Sequence, residues 1–98
     1  LFREIGSALK LADAHGYRTA TIDAVLSRMG RSTSLFDIID LVGTDITLRI
    51  LTNLRDEDPS VYVSPRLAAA IEAGVLGRKN NTSIRAVIDA SPVTPELR

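Results

Sequence analysis

The stretch SLFDIIDLVGTD, residues 34–45, decides the fold that this sequence predicts. The segment from Leu35 to Val42 is apolar on nearly every side, which indicates a buried helix rather than one on the surface. Ser34 is a favourable N-cap for that helix, and Gly43 can end it. Because a buried helix must be covered, we expect further helices to pack around it.

Four more amphipathic segments flank this helix. Their apolar residues recur at spacings of three and four, which is typical of helices with one buried face. Thr21, Thr44 and Ser64 are predicted as N-caps, and Pro65 suits a first helical turn. The five helices are predicted at residues 1–14, 21–29, 35–42, about 45–57 and from Pro65 to Gly74. The core residues predicted from them are Ile5, Leu9, Val25, Leu26, Phe36, Ile39, Val42, Ile50, Leu54, Leu67 and Ile71.

The last part of the sequence does not show this helical spacing. Residues 77–83 are predicted as a loop, and the β-branched run from Ile84 to Ile88 as a short strand or an extended stretch. Pro92 and Pro95 indicate a frayed tail.

Composition fits an all-α fold and excludes several kinds of site. Of the 98 residues, 45% are hydrophobic and only 4% are aromatic, which suits one small helical domain. The chain has no cysteine, which excludes disulfides and thiol chemistry, and one histidine, His15, which excludes a multi-histidine metal site. Twelve basic and twelve acidic residues balance, which argues against nucleic acid or an anionic membrane as a partner.

Two further features limit what this segment can do. The sequence contains neither an apolar run long enough to span a bilayer nor a glycine-rich dinucleotide-binding motif. It begins at Leu1, inside a helical pattern, so we expect a piece of a longer protein.

The stretch quoted first also resembles a helix in the C-terminal helical domain of the 3-hydroxyacyl-CoA dehydrogenases. That family typically shows the pattern G-x-P-x-G-P-F-E-L-x-D-x-x-G-L-D at this point. Phe36, Asp40, Gly43 and Asp45 match its F, D, G and final D, and Asp37 stands where the family has E.

The order of the neighbouring segments is similar as well. Residues 64–67 (SPRL) and 71–79 (IEAGVLGRK) resemble the family pattern P-x-L-x-x-x-V-x-A-G-x-L-G-R-K, and residues 21–25 (TIDAV) resemble its I-D-x-A-M segment. The resemblance covers about residues 1–80 and implies an all-α fold of the 6-phosphogluconate dehydrogenase C-terminal-like type. Residues 81–98 are then expected to form an extended segment and a tail.

Two parts of the chain depart from the family pattern. Residues 31–34 (RSTS) replace a proline-rich lead-in that approaches the acyl-CoA in family members, and residues 80–84 (NNTSI) replace the ending G-x-G-F-Y. These departures leave alternatives open. The chain is either a divergent enzyme domain or an inactive structural repeat of the kind found in multifunctional fatty-acid oxidation proteins, and a protein-interaction helical module is a further alternative.

The resemblance implies the helical substrate-cleft and dimerisation domain of an NAD-dependent 3-hydroxyacyl-CoA dehydrogenase, an oxidoreductase of fatty-acid β-oxidation. In that family NAD and the catalytic histidine–glutamate pair belong to a Rossmann domain, so we expect this segment to bind no NAD and to be inactive alone. The expected partners are the Rossmann domain of the same chain, an acyl-CoA substrate and a second copy in a homodimer. The dimer contact is expected at Leu35, at Ile38 or along the face from Ile46 to Leu54, and the location is expected to be cytoplasmic.

Four residues are candidate substrate contacts, namely Ser34, Phe36, Arg78 and Lys79. The last two follow Gly77 and offer adjacent cations for a phosphate of coenzyme A. No catalytic, NAD-binding or metal-binding residue is predicted in this segment.

The other groups that carry chemistry receive structural interpretations. His15 precedes a glycine at a helix end, where it is expected to satisfy free carbonyl groups. Asp37 and Asp45 lie in first turns, where the helix dipole favours an acid. Asp40 is expected to be buried and paired, with an arginine as one candidate partner.

Overall fold

Six α-helices and one short 3-10 turn form the regular structure of residues 1–90, which are the residues that the computed structural model describes. The all-α prediction is confirmed for this part of the chain, with six helices instead of about five. None of these helices is long and apolar enough to cross a membrane. In chain order they are α1 (Phe2–His15), α2 (Thr19–Arg28), α3 (Leu35–Val42), α4 (Thr44–Glu57), α5 (Pro65–Glu72) and α6 (Ile84–Ala90), with the 3-10 turn at Arg78–Asn80.

Helix α3 lies at the centre of the packing, as its sequence predicts. Leu35, Phe36 and Ile39 are at most 1% exposed, and α1, α4 and α6 all pack against α3. Leu41 differs from them, because 66% of its surface is exposed. One side of α3 therefore still faces solvent.

Of the eleven residues predicted for the core, five are buried, five are partly buried and one is exposed. The buried members are Ile5, Leu9, Phe36, Ile39 and Leu67, and the partly buried members are Leu26, Val42, Ile50, Leu54 and Ile71. The prediction is wrong for Val25, which is 51% exposed. Thr19 and Asp23 of α2 bond to α6, and Val25 lies on the opposite side of α2, where the described residues leave it uncovered.

Residues 84–90 form a helix, so the prediction of a strand or extended stretch there is wrong. Ile84 and Ile88 are one helical turn apart, and both are buried in the main core. Their burial outweighs the weak helix propensity of β-branched residues. The rest of the expected tail, residues 91–98 with Pro92 and Pro95, lies outside the described residues.

Two of the four predicted N-caps are confirmed. Ser34 Oγ accepts a hydrogen bond from the Phe36 N–H at 3.2 Å, and Ser64 Oγ accepts one from the Arg66 N–H at 3.1 Å. Gly74 also has the predicted left-handed conformation, with φ of 80°, at the end of α5.

The caps predicted at Thr21 and Thr44 are wrong. Helix α2 begins at Thr19, and its first N–H donates to the carboxylate of Asp89 on α6 rather than to a local side chain. Helix α4 begins at Thr44 itself, with Gly43 in the N-cap position. In both cases the helix begins earlier than the local pattern indicates.

Candidate functional site

The connector between α2 and α3 lines two neighbouring hollows on the surface. The larger, of about 440 Å³, lies between the connector and the start of α1, where Glu4 reaches it. The smaller, of about 250 Å³, lies between the connector and α6, where Arg85 reaches it. Arg31, Ser32 and Thr33 line both hollows, and Ser32 and Thr33 are exposed, so this connector is an accessible polar edge next to the family-like motif.

Arg85 joins three helices at the floor of the smaller hollow. Its Nη1 atom lies 2.8 Å from Asp23 Oδ2, and its Nη2 atom lies 3.0 Å from Asp37 Oδ1. Nη2 also donates to Ser34 Oγ at 2.7 Å. Partial burial acts to lower the pKa of Arg85, but its hydrogen bonds to the two aspartates outweigh this effect and raise the pKa. The cation therefore stays charged and ties α6 to α2 and α3.

The larger hollow contains a second ion pair. Arg31 Nη2 donates to Glu4 Oε2 at 2.6 Å, and this hydrogen bond holds the pKa of the Glu4 carboxyl below its ordinary value. Both arginines at the connector are thus paired with carboxylates of the described chain. An anionic ligand would have to compete with these carboxylates for either guanidinium group.

Two candidate substrate contacts, Ser34 and Phe36, have structural roles beside the connector. The Ser34 hydroxyl donates to Asp23 Oδ1 at 2.7 Å while it caps α3. Phe36 is fully buried, and the guanidinium of Arg85 lies 5.6 Å from its ring centroid. A substrate cannot touch Phe36 unless the core repacks.

The other two candidates lie at the opposite end of α3. Arg78 and Lys79 belong to the 3-10 turn, and Lys79 Nζ lies 2.6 Å from Asp45 Oδ1 in the first turn of α4. The hydrogen bond from Lys79 lowers the pKa of Asp45. Helix α3 spans about 12 Å at 1.5 Å per residue, so the structure does not bring Ser34 and Lys79 into one site.

Gly77 and Asp40 lie in close contact at this end of α3. Gly77 has φ of 99°, and a Cβ there would lie 2.4 Å from the carbonyl oxygen of Asp40. Asp40 is 7% exposed, and its carboxylate accepts from Ser83 Oγ at 2.6 Å and from the Ile84 N–H at 2.7 Å. Burial of Asp40 is confirmed, but its partner is the start of α6 rather than an arginine.

A second polar cluster joins α1 to α5. Asp13 Oδ2 accepts hydrogen bonds from Tyr62 Oη and Ser64 Oγ. Asp13 Oδ1 lies 3.1 Å from Arg66 Nε, and the two groups form an ion pair whose geometry is not that of a hydrogen bond. Arg66 Nη1 also donates to the carbonyl of Ile88 at 3.0 Å. Burial, and then the hydrogen bond to Asp13, raise the pKa of Tyr62 to about 12. This cluster holds helices together and presents no activated nucleophile or base.

His15 lies apart from both hollows and takes part in neither polar cluster. It is the last residue of α1, and Gly16 follows with φ of 71°. The imidazole stacks on Tyr17, with 5.2 Å between ring centroids.

Sequence reasoning missed the residues that form the floor of the smaller hollow. Asp23 lies in the family-like segment TIDAV, but nothing in that segment indicates its partner, which is 62 residues away. Arg85 lies in a segment expected to be extended, so its position on a helix facing α2 and α3 was not predictable from local pattern. The only sequence feature that drew attention to Arg31 is that residues 31–34 depart from the family pattern.

Comparison with known proteins agrees with the fold and the motif order. The family model described as the C-terminal domain of 3-hydroxyacyl-CoA dehydrogenase matches residues 1–86, which is most of the chain. The match extends through the first turn of α6 and includes the connector, the whole of α3 and the 3-10 turn. Among curated proteins no match to the chain is found.

Proposed function

Since the chain belongs to the family of 3-hydroxyacyl-CoA dehydrogenase C-terminal domains, we propose that it is the helical substrate-cleft and dimerisation domain of an NAD-dependent enzyme of fatty-acid β-oxidation. The family match over residues 1–86 carries this proposal. In the proposed reaction the 3-hydroxyl group of an acyl-CoA is oxidised to a ketone, and hydride passes to NAD. A Rossmann domain of the same chain would supply both the NAD site and the catalytic base, so the helical domain alone is inactive.

The substrate-facing part of the proposed domain is the connector at Arg31–Ser34. The two hollows give it concave surface on both sides, and the Ser32 and Thr33 side chains are exposed there. The volume of the larger hollow is within the range of small-molecule sites, about 300–1,000 Å³. Arg78 and Lys79 are too far along α3 to share this contact, and a phosphate at Lys79 would have to displace Asp45.

Nuclear magnetic resonance of the labelled chain tests this proposal. A short-chain 3-ketoacyl-CoA is expected to shift the amide signals of residues 31–34, whereas NAD shifts none. Arg31→Gln should reduce the shifts, and Arg28→Gln, which changes an exposed arginine just before the connector, should not. Equal shifts with free coenzyme A, confined to Arg78 and Lys79, would contradict acyl recognition at the connector.

One set of observations favours the alternative, a structural repeat or interaction module without a substrate site. Arg31 is paired with Glu4, and Arg85 is paired with Asp23 and Asp37. An anionic substrate would have to displace these carboxylates, so the pairing suits a scaffold better than a binding surface. The absence of any shift with the 3-ketoacyl-CoA would support this alternative.

The proposed homodimer uses residues that the fold leaves accessible. Leu35 is 1% exposed, so the expectation of a contact through this residue is wrong. Ile46 and Leu41 are exposed and are better placed, at the start of α4 and the end of α3. Light scattering at micromolar concentration tests the dimer, and Ile46→Asp should shift the mass toward 10.6 kDa. We further propose a cytoplasmic location.

A further inference from the structure

A furrow between α1 and α2 extends the larger hollow at the connector. Its far end is an apolar groove of about 410 Å³, and a middle hollow of about 250 Å³ lies between that groove and the connector. Leu26 lines all three cavities. The middle hollow shares Leu11 with the groove, and it shares Glu4 and Arg31 with the hollow at the connector. The three cavities therefore adjoin one another along one side of α2.

The lining of this furrow changes from polar to apolar with distance from the connector. At the connector, residues 31–33 and Glu4 supply charges and hydroxyl groups. The groove at the far end has no charged side chain among the described residues that line it, which are Leu11, Tyr17, Thr21, Ile22, Val25 and Leu26. Leu11, Tyr17 and Val25 are between 41% and 51% exposed, so a ligand reaches the walls of the groove without repacking the core.

The length of the furrow fits an acyl chain of medium length. It follows α2 from Thr21 to the connector, which is about 13 Å at 1.5 Å per residue. An extended alkyl chain with C–C bonds of about 1.5 Å advances about 2.5 Å for every two carbons, so about ten carbons span this distance. Each methylene that moves from water into an apolar site raises affinity by up to about fourfold. Longer chains are therefore expected to bind the furrow more tightly than short ones.

We propose that the furrow binds the acyl chain of the substrate, with the thioester at the connector and the end of the chain between Tyr17 and Val25. The inference rests on the proposed function and adds to it a preference for acyl groups of about eight to twelve carbons. The order of the linings supports an acyl-CoA, whose polar head and apolar chain are joined end to end. A protein helix would instead need an apolar stripe along the whole length of the furrow.

The ion pair between Arg31 and Glu4 lies where the hollow at the connector meets the middle hollow, since both residues line both cavities. The two carbonyl oxygens of a 3-ketoacyl thioester would lie beside this ion pair, and the methylene groups beyond it. A guanidinium group has five N–H donors, so Arg31 can donate to these neutral oxygens while it stays paired with Glu4. The polar end of the furrow thus suits the head of the acyl group.

The dependence of binding on chain length, followed by nuclear magnetic resonance of the labelled chain, tests the proposal. The probes are 3-ketobutanoyl-CoA and 3-ketodecanoyl-CoA, both used below the concentration at which the longer one forms micelles. Both are expected to shift the signals of residues 31–34, but only the longer one should shift those of Leu11, Tyr17 and Val25. Six further methylenes, each worth about twofold in a half-open furrow, should make its affinity at least about tenfold higher.

Two variants of α2 separate contact with the groove from a general effect of charge. Val25→Asp places a carboxylate on the wall of the groove, and Ala24→Asp places one on an exposed neighbour that does not line it. Val25→Asp is expected to remove the advantage of the longer chain, whereas Ala24→Asp should keep it. Circular dichroism checks that both variants fold.

Failure of this inference is distinguishable from failure of the proposed function. Equal affinities for the two probes, with shifts confined to residues 31–34, would overturn the furrow as the acyl site and leave the contact at the connector standing. No shift with either probe would overturn both. Equal shifts in the groove with free decanoate, while residues 31–34 do not respond to either probe, would show a general apolar site and would overturn its part in substrate binding.

Discussion

Asp40→Ala is expected to destabilise the domain by about 3 kcal/mol, because one buried carboxylate holds the start of α6. The carboxylate accepts from Ser83 Oγ and from the Ile84 N–H, the first N–H of that helix. Each hydrogen bond to a charged group contributes about 1.5–3 kcal/mol, and the loss of a helix cap costs about 0.5–2 kcal/mol. These contributions overlap, so their sum is an upper bound and about 3 kcal/mol is the central value.

The measurement is urea or thermal unfolding of the purified chain. For a domain of this size, 3 kcal/mol corresponds to a fall in Tm of roughly 12–24 °C. Asp40→Asn keeps one acceptor oxygen at nearly the same volume, so it should recover about half of the loss. The matched control is Asp37→Asn, which alters a half-exposed carboxylate in an ion pair and should cost less than about 1 kcal/mol.

Two results would refute this reasoning about Asp40. A loss below about 1 kcal/mol would show that the two hydrogen bonds contribute little net stability. Equal losses for Asp37→Asn and Asp40→Asn would show that general charge, rather than the capping geometry, sets the effect.

The remaining predictions concern the close approach of Gly77 to Asp40, the core residue Phe36 and the ionisable side chain of Tyr62. Gly77→Ala should lower the free energy of unfolding by at least about 2 kcal/mol more than Gly30→Ala does. The two glycines share φ near +98°, but only at Gly77 would a Cβ meet a backbone oxygen. Equal Tm values for the two variants would contradict this clash. Phe36→Ala should lower the free energy of unfolding, measured in urea, by about 3–5 kcal/mol. A loss below about 1 kcal/mol would place the ring outside the core. Because the pKa of Tyr62 is raised to about 12, its contribution to stability is complete below pH 10 and is lost as pH rises toward 12. Tyr62→Phe should flatten this alkaline loss, and an unchanged pH profile of unfolding would exclude Tyr62 as its cause.

Local patterns predicted the first five helices because their signals lie within a few residues of one another. The Ser34 cap and the Ser64-Pro65 start are set by hydrogen bonds across two residues, which a sequence shows directly. Helix α6 depends on distant groups instead. Its first N–H bonds to Asp40, 44 residues earlier, and its apolar side chains gain stability only when the other helices cover them. A local pattern of β-branched residues cannot show either interaction.

The residues that carry the family resemblance mostly hold the scaffold together. Phe36 fills the core, Asp40 caps α6, Gly77 lets the Asp40 carbonyl approach, and Asp45 pairs with Lys79. A chain that keeps these side chains keeps the arrangement of α3, α4 and α6 whether or not it binds an acyl-CoA. The motif therefore indicates the family through its scaffold. We expect a working substrate cleft to depend instead on residues 31–34, where the chain departs from the family and where the two hollows meet.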